Sequence, residues 1–391
     1  MKYNITKYFT EFFESERASG IILLLSAGTA MVLANSPLRE SFLGFWHTKV
    51  GLDLGVLNLR YDLAHWVNDG LMAIFFLLIG LEIERELYVG ELADLRKAAL
   101  PIFAAIGGVI LPALIHFSLN KDLPTQSGFG IPMATDIAFA LGILALLGKK
   151  VPLSLKVFLT AFAIIDDLIA ILVIVIFYAG ELNLAALAVA GGVFVLLLIL
   201  NRNKVRTLPV YLLLGLVMWY AILQSGVHAS IAGVLLAFAI PFTDGTSSSP
   251  SYKLQHTLHL PVAFGIMPIF ALANTGVTLI GSSLSSLLTS NTLGIFIGLV
   301  AGKPLGITFF SALAIRLKVA SAPEDISMRH LLGVGLLGGI GFTMSIFITF
   351  LAFGEGSLAQ NSKLAIIIGS LTSGLVGYFY LSRQARNQEV T

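Results

Sequence analysis

Residues 184–200 read LAALAVAGGVFVLLLIL and residues 21–34 read IILLLSAGTAMVLA, neither holding a charge. About 17–25 such residues cross the hydrocarbon of a bilayer as one helix, so runs of this kind commit the chain to a membrane. Only 12% of the 391 residues are charged, about half the share in an ordinary soluble domain, and a soluble globule would have too little polar surface to stay dissolved. Apolar runs bounded by glycine, proline or charge predict twelve spans, near 18–36, 64–82, 98–118, 129–148, 153–178, 184–200, 208–222, 226–241, 260–280, 292–314, 331–352 and 363–381. The expected fold is therefore an all-α integral membrane protein, one transmembrane unit over 1–391 with its embedded core at 18–382.

Lysine and arginine orient the spans, because positively charged loops stay in the cytoplasm. With the N-terminus inside, eighteen of the 24 basic residues fall in cytoplasmic segments, five fall outside and Lys303 falls within a span. Both termini are thus expected in the cytoplasm. The basic residues lie in small groups, so no basic face invites nucleic acid, and the absence of cysteine excludes disulfides and thiolate chemistry. Residues 1–20 lack the short apolar core and cleavage site of a signal peptide and read as an interfacial helix. The external segment 48–60 alternates Val50, Leu52 and Leu54, then Leu57 and Leu59, about Gly55, which predicts a β-hairpin. The polar stretch 242–251, FTDGTSSSPS, is expected to separate two groups of helices.

Charge at membrane depth costs at least about 2.5–3.5 kcal/mol per group, so ionisable residues there are functional candidates. Asp166 and Asp167 stand in the middle of VFLTAFAIIDDLIAILVIVIF, residues 157–177. Two adjacent buried carboxylates cannot both ionise cheaply and titrate as a coupled pair. A hard monovalent cation such as sodium prefers oxygen ligands, so it and protons compete for the same atoms. Asp136 lies in GFGIPMATDIAFALG, where Pro132 and three glycines weaken the helix, and residues 331–345 carry five glycines before Thr343 and Ser345. Such interrupted spans form discontinuous helices whose free ends line ion sites. Asp136 would offset positive helix N-termini and Lys303 the negative C-termini, with Thr135 beside them in support. Lys303, too deep to reach the surface and followed by Pro304, needs a carboxylate partner. Asp136, Asp166 and Asp167 all qualify. Nearer the helix ends, Asp69, Glu82, His228 and His256 are candidates for an ion-access funnel or pH sensing.

Other classes fit less well. A solute symporter or drug exchanger would need a large polar cavity that these spans do not offer. An intramembrane aspartyl protease draws its aspartates from two helices, one in a GxGD context, and no GxGD occurs. A rhomboid-like protease would need GxSx, but Leu223 stands two residues before Ser225. A passive channel would show rings of pore-lining charge. No enzyme activity and no cofactor are expected.

Five ordered motifs, ATDIAFALG (134–142), AIIDDL (163–168), SGVHAS (225–230), GKPLGI (302–307) and GIGFTMSIF (339–347), together with NDGLMAIFFLLIGLE (68–82), resemble the NhaA family of bacterial sodium–proton antiporters over about 18–382. That resemblance implies inverted repeats of spans 3–5 and 10–12, a known feature of this family, with spans 4 and 11 broken and crossing near the aspartates. It implies Asp166 and Asp167 as the site for Na+, Li+ and H+, with Asp136 and Lys303 compensating helix charge. It further implies two protons exchanged per sodium ion, a homodimer joined through the 48–60 hairpin, a place in the bacterial inner membrane and a part in sodium and pH homeostasis. Two positions depart from the common family pattern: Gln255 stands where LEH is usual, and Glu84 where LEVKRE has lysine. Both bear on the pH set point.

Overall fold

A backbone in hydrocarbon has no water to bond, so helices, which satisfy their own amide groups, are the natural form of these apolar runs. The computed structural model of the chain describes residues 2–52, 59–243, 245–246, 248–279 and 288–388, without the side chains of 2–17, 149, 387 and 388. Among the described residues, eight helices are long and apolar enough to cross a membrane: Leu63–Val89, Leu95–Leu119, Pro124–Leu146, Leu153–Phe177, Leu184–Arg202, Pro250–Asn274, Ser290–Arg316 and Ser357–Arg386. Two bent pairs, Ala18–Ala34 with Arg39–Trp46 and Met328–Gly338 with Phe342–Phe353, bring the number to ten. The other two expected spans are the helices Leu208–Leu223 and Ile231–Ala239, of 16 and 9 residues. At 1.5 Å per residue they reach only about 24 and 14 Å, short of a full crossing. The chain is a multi-pass membrane protein.

Helix starts follow from local chemistry. Asn183 accepts the backbone N–H of Ala185 and Ala186, and Asp94 accepts that of Arg96, each closing an N-terminus that would otherwise leave donors bare. Lys49–Val50 pairs antiparallel with Tyr61–Asp62, Lys49 opposite Asp62 and Val50 opposite Tyr61, and Leu59 N–H donates to Leu52 O at 2.9 Å. The turn expected about Gly55 lies outside the described residues.

Chain contacts divide the molecule into two compact units. The first comprises 1–25, 91–170 and 279–391, and the second 26–90 and 171–278. The stretch 242–251, expected at a break between helix groups, lies instead within the second unit. Two boundaries fall inside continuous helices, between Leu25 and Ser26 and between Ala170 and Ile171, where no linker composition could mark them. The second unit packs Leu77, Leu81, Leu197, Tyr211, Met218 and Leu236 into one apolar cluster. In the first unit, Leu95–Leu119 crosses Lys303–Arg316 at Gly107 and Gly306, where a Cβ on either residue would strike the other's carbonyl.

Candidate functional site

Both interrupted spans belong to the first unit. After the tight 3₁₀ turns of Pro124–Met133, the backbone is extended at Ala134 (φ −80°, ψ 149°) and Asp136 (φ −87°, ψ 99°), and the helix resumes at Ile137. The second span bends by 50° between Gly338 and Phe342. Each break frees backbone groups that hydrocarbon cannot satisfy, and the two breaks satisfy each other. Asp136 N–H donates to Ile340 O at 2.6 Å, Thr135 Oγ1 to Gly338 O at 2.9 Å and Ser345 Oγ to Ile131 O at 2.6 Å.

Half-helix ends carry partial charge, and the side chains answer it. Asp136 Oδ1 accepts Phe139 N–H at 3.1 Å, capping Ile137–Leu146. Its Oδ2 accepts Thr343 N–H at 3.1 Å together with the Thr343 hydroxyl, at the start of Phe342–Phe353. One carboxylate therefore closes two helix N-termini. At the opposite polarity, Lys303 Nζ donates to Asp166 Oδ2 at 2.7 Å and to Thr135 Oγ1. Thr135 passes its own proton to Gly338 O, the last carbonyl of Met328–Gly338, so lysine charge reaches a helix C-terminus through one hydroxyl. The five-residue π turn Gly298–Gly302 directly precedes Lys303, and Pro304, lacking an N–H, follows it.

Asp136, Asp166, Asp167, Lys303 and Thr135 are each at most 2% exposed. The Lys303 ammonium lies 5.6 Å from the centre of the buried Phe162 ring. Of the three carboxylates that qualified as its partner, Asp166 holds it, and Asp167 stands within electrostatic reach. Successive helix residues point about 100° apart, so the aspartate pair faces two directions rather than one. Asp166 Oδ1 is buried with no hydrogen-bond partner among the described residues. Around Lys303, oxygens from Asp166 and Thr135 form the donor set a hard cation prefers, currently engaged by an ammonium.

The other residues singled out in the sequence lie in the second unit. Asp69 sits in the π turn Trp66–Leu71, its two oxygens 3.3 Å from His65 Nδ1 and 3.3 Å from His228 Nε2. His228 Nδ1 lies 2.8 Å from Ser230 Oγ, and Trp219 Nε1 donates to Asp69 O at 3.0 Å. The sequence reading overlooked His65, although it stands four residues before Asp69, the spacing that puts two side chains on one helix face. Nothing local in the sequence reveals that Thr343 meets Asp136. Glu82 hydrogen-bonds Gln255, one of the two departures from the family pattern. The other, Glu84, is buried at 4% exposure. His256 is exposed and stacks on Tyr252, apart from the Asp69 cluster.

Residues 10–381 match the family model described as Na+/H+ antiporter 1. Among known proteins, the chain is 54% identical over 383 residues to the Na(+)/H(+) antiporter NhaA of Flavobacterium psychrophilum, covering 98% of each chain. It is 55% identical over 382 residues to that of Dechloromonas aromatica, covering 97% of this chain and 96% of the relative. The Escherichia coli O1:K1 protein of the same name is 49% identical over 384 residues, with 97% and 99% covered. With near-complete coverage and about half of all positions identical, on a chain whose two broken spans cross at a buried aspartate–lysine pair, this protein belongs to the NhaA family of Na+/H+ antiporters.

Proposed function

We propose that this chain is a transporter that exchanges cytoplasmic Na+ or Li+ for external H+ across the bacterial inner membrane, with both termini in the cytoplasm. The observation that carries the reading is the buried Lys303–Asp166 pair at the crossing of two interrupted spans. A cation approaching Asp166 meets a carboxylate with one oxygen that has no hydrogen-bond partner among the described residues and another held by an ammonium. Binding requires Lys303 to yield, and release lets it return. Asp167 supplies further oxygen ligands. Na+ and H+ compete for the same carboxylates, so only a loaded site needs to cross between the two faces, and no separate proton path is required. Exchange of one Na+ for two protons moves one net charge per cycle.

Asp136 keeps the positive half-helix ends balanced throughout, while Lys303 and Thr135 serve the negative end. The Asp69–His228 pair and Glu82 stand as the ion-access and pH-sensing groups, with Gln255 and Glu84 setting a pH profile peculiar to this chain. The 48–60 segment joins two copies as a homodimer, and the physiological task is sodium and pH homeostasis. No cofactor takes part.

The deciding measurement is made on purified protein in liposomes with an imposed pH gradient, challenged in turn with Li+, Na+, K+ and organic cations while pH and current are recorded. Lithium and sodium alone should dissipate the gradient, with a current. Asp167→Asn should abolish exchange, and Asp166→Asn should abolish it or change its charge stoichiometry. Full exchange by the doubly substituted protein would move the ion site elsewhere.

A further inference from the structure

In the first unit, away from the ion site, three helix ends meet around a polar chain that the transport reading does not use. His116 belongs to the last turn of Leu95–Leu119, Asn291 to the first turn of Ser290–Ile297, and Ser362 to the second turn of Ser357–Gln388. All three are at most 2% exposed. Ser362 Oγ donates its single proton to Leu358 O at 2.8 Å, so it can only accept from Asn291 Nδ2, which lies 2.8 Å away. Asn291 Oδ1 then faces His116 Nε2 at 3.1 Å as an acceptor, and Nε2 must carry the hydrogen. The carbonyl at one end thus fixes the polarity of the whole chain. His116 is thereby held as the Nε2–H form, and its Nδ1 is buried with no hydrogen-bond partner among the described residues.

The ring sits where glycines leave space for it: a Cβ on Gly294 would lie 2.9 Å from its Cδ2, and one on Gly128, in the first arm of the interrupted span 124–146, 3.1 Å from its Cε1. Asn120 braces the same corner, donating to His116 O at 2.9 Å and Ser290 O at 3.1 Å, and it accepts from Thr125 Oγ1 at 2.7 Å. The charged groups near these helix ends along the chain are Lys121, Asp122, Glu355 and Lys363, and none forms an ion pair with the ring among the described residues. Ser290–Ile297 and Pro124–Met133 contribute no charge at all.

We infer that His116 is an acid-labile clasp: in its neutral form it ties three helix ends together, and a second proton, placed on Nδ1 where no acceptor waits, releases them. A charged N–H⁺ buried without an acceptor is far costlier than a bare lone pair, so the ring must leave its socket to be protonated. Leaving breaks the bond to Asn291 and with it the link between the three helix ends. The device responds to protons independently of the aspartate pair, and it stands or falls apart from the transport reading.

Hydrogen exchange of the full-length protein in lipid, followed by mass spectrometry between about pH 8 and about pH 5, covers the window in which histidine titrates. After correction for intrinsic rates, peptides from 110–120, 288–297 and 357–365 should open increasingly with acid, by up to about tenfold per pH unit for a one-proton linkage. Peptides from 153–177 should not follow. His116→Phe keeps a ring but binds no proton, so its baseline exchange rises while the acid slope disappears. Asn291→Asp offers the imidazolium a carboxylate and should also flatten the slope. Independently of any variant, the ¹⁵N shifts of labelled histidine in the unaltered protein should show His116 as the Nε2–H tautomer. An Nδ1–H tautomer, or an acid slope unchanged in His116→Phe, would overturn the inference.

Discussion

A lysine and an aspartate taken from water into a membrane interior are tolerated only as partners, and that is how Lys303 and Asp166 are found. Removing one partner strands the other, so Lys303→Ala is expected to destabilise the protein by about 3–5 kcal/mol, while Lys303→Arg keeps the charge and loses less. Thermal unfolding of both variants in the same detergent checks the order, and an alanine variant as heat-stable as wild type would contradict the pairing. The second expectation concerns pH. Under the proposed competition of protons and sodium for one set of oxygens, apparent Na+ affinity should weaken as pH falls and recover as it rises. Flux measured against sodium concentration at several pH values reads this directly, and an affinity indifferent to pH would place the cation elsewhere. The aspartates were legible in the sequence because their depth alone marks them. Which carboxylate takes Lys303 was not, because the choice depends on the chain folding back over a separation of 137 residues.

Among elements, the breaks were legible and their mutual bonding was not. Pro132 and the glycines at 333–341 announce where helices weaken, yet only the folded chain shows Thr135 on Gly338 and Ser345 on Ile131. The break between the expected spans 208–222 and 226–241 likewise falls where two helices separate: Leu208–Leu223 fills the first span, while the second narrows to Ile231–Ala239. Asp136 illustrates how one residue can serve two elements. Replacing it by Asn leaves one oxygen to accept where two accepted before, so Asp136→Asn should lose about 1–3 kcal/mol and loosen the starts of both Ile137–Leu146 and Phe342–Phe353, which hydrogen exchange of those segments would detect. At the far end of the second broken span, Ser327 and His330 form a capping box on Met328–Gly338. Ser327→Ala should lower stability by about 0.5–2 kcal/mol, and a thermal midpoint unchanged from wild type would show the box to be incidental.

For the molecule as a whole, composition was enough to commit the chain to a membrane, but its division into two units was hidden because two of the boundaries run through unbroken apolar helices. The 48–60 segment tests assembly: deleting it should leave transport largely intact while producing monomers, and a stable dimer on light scattering of the shortened protein would assign the contact elsewhere. The buried ion pair also sets a schedule. Asp166 precedes Lys303 by 137 residues, so at about 5–20 residues per second a ribosome needs about 7–30 s to deliver the ammonium after the carboxylate. For that interval the Asp166 carboxylate on Leu153–Phe177 is without its lysine, so this helix reaches its final packing only once the later span has arrived.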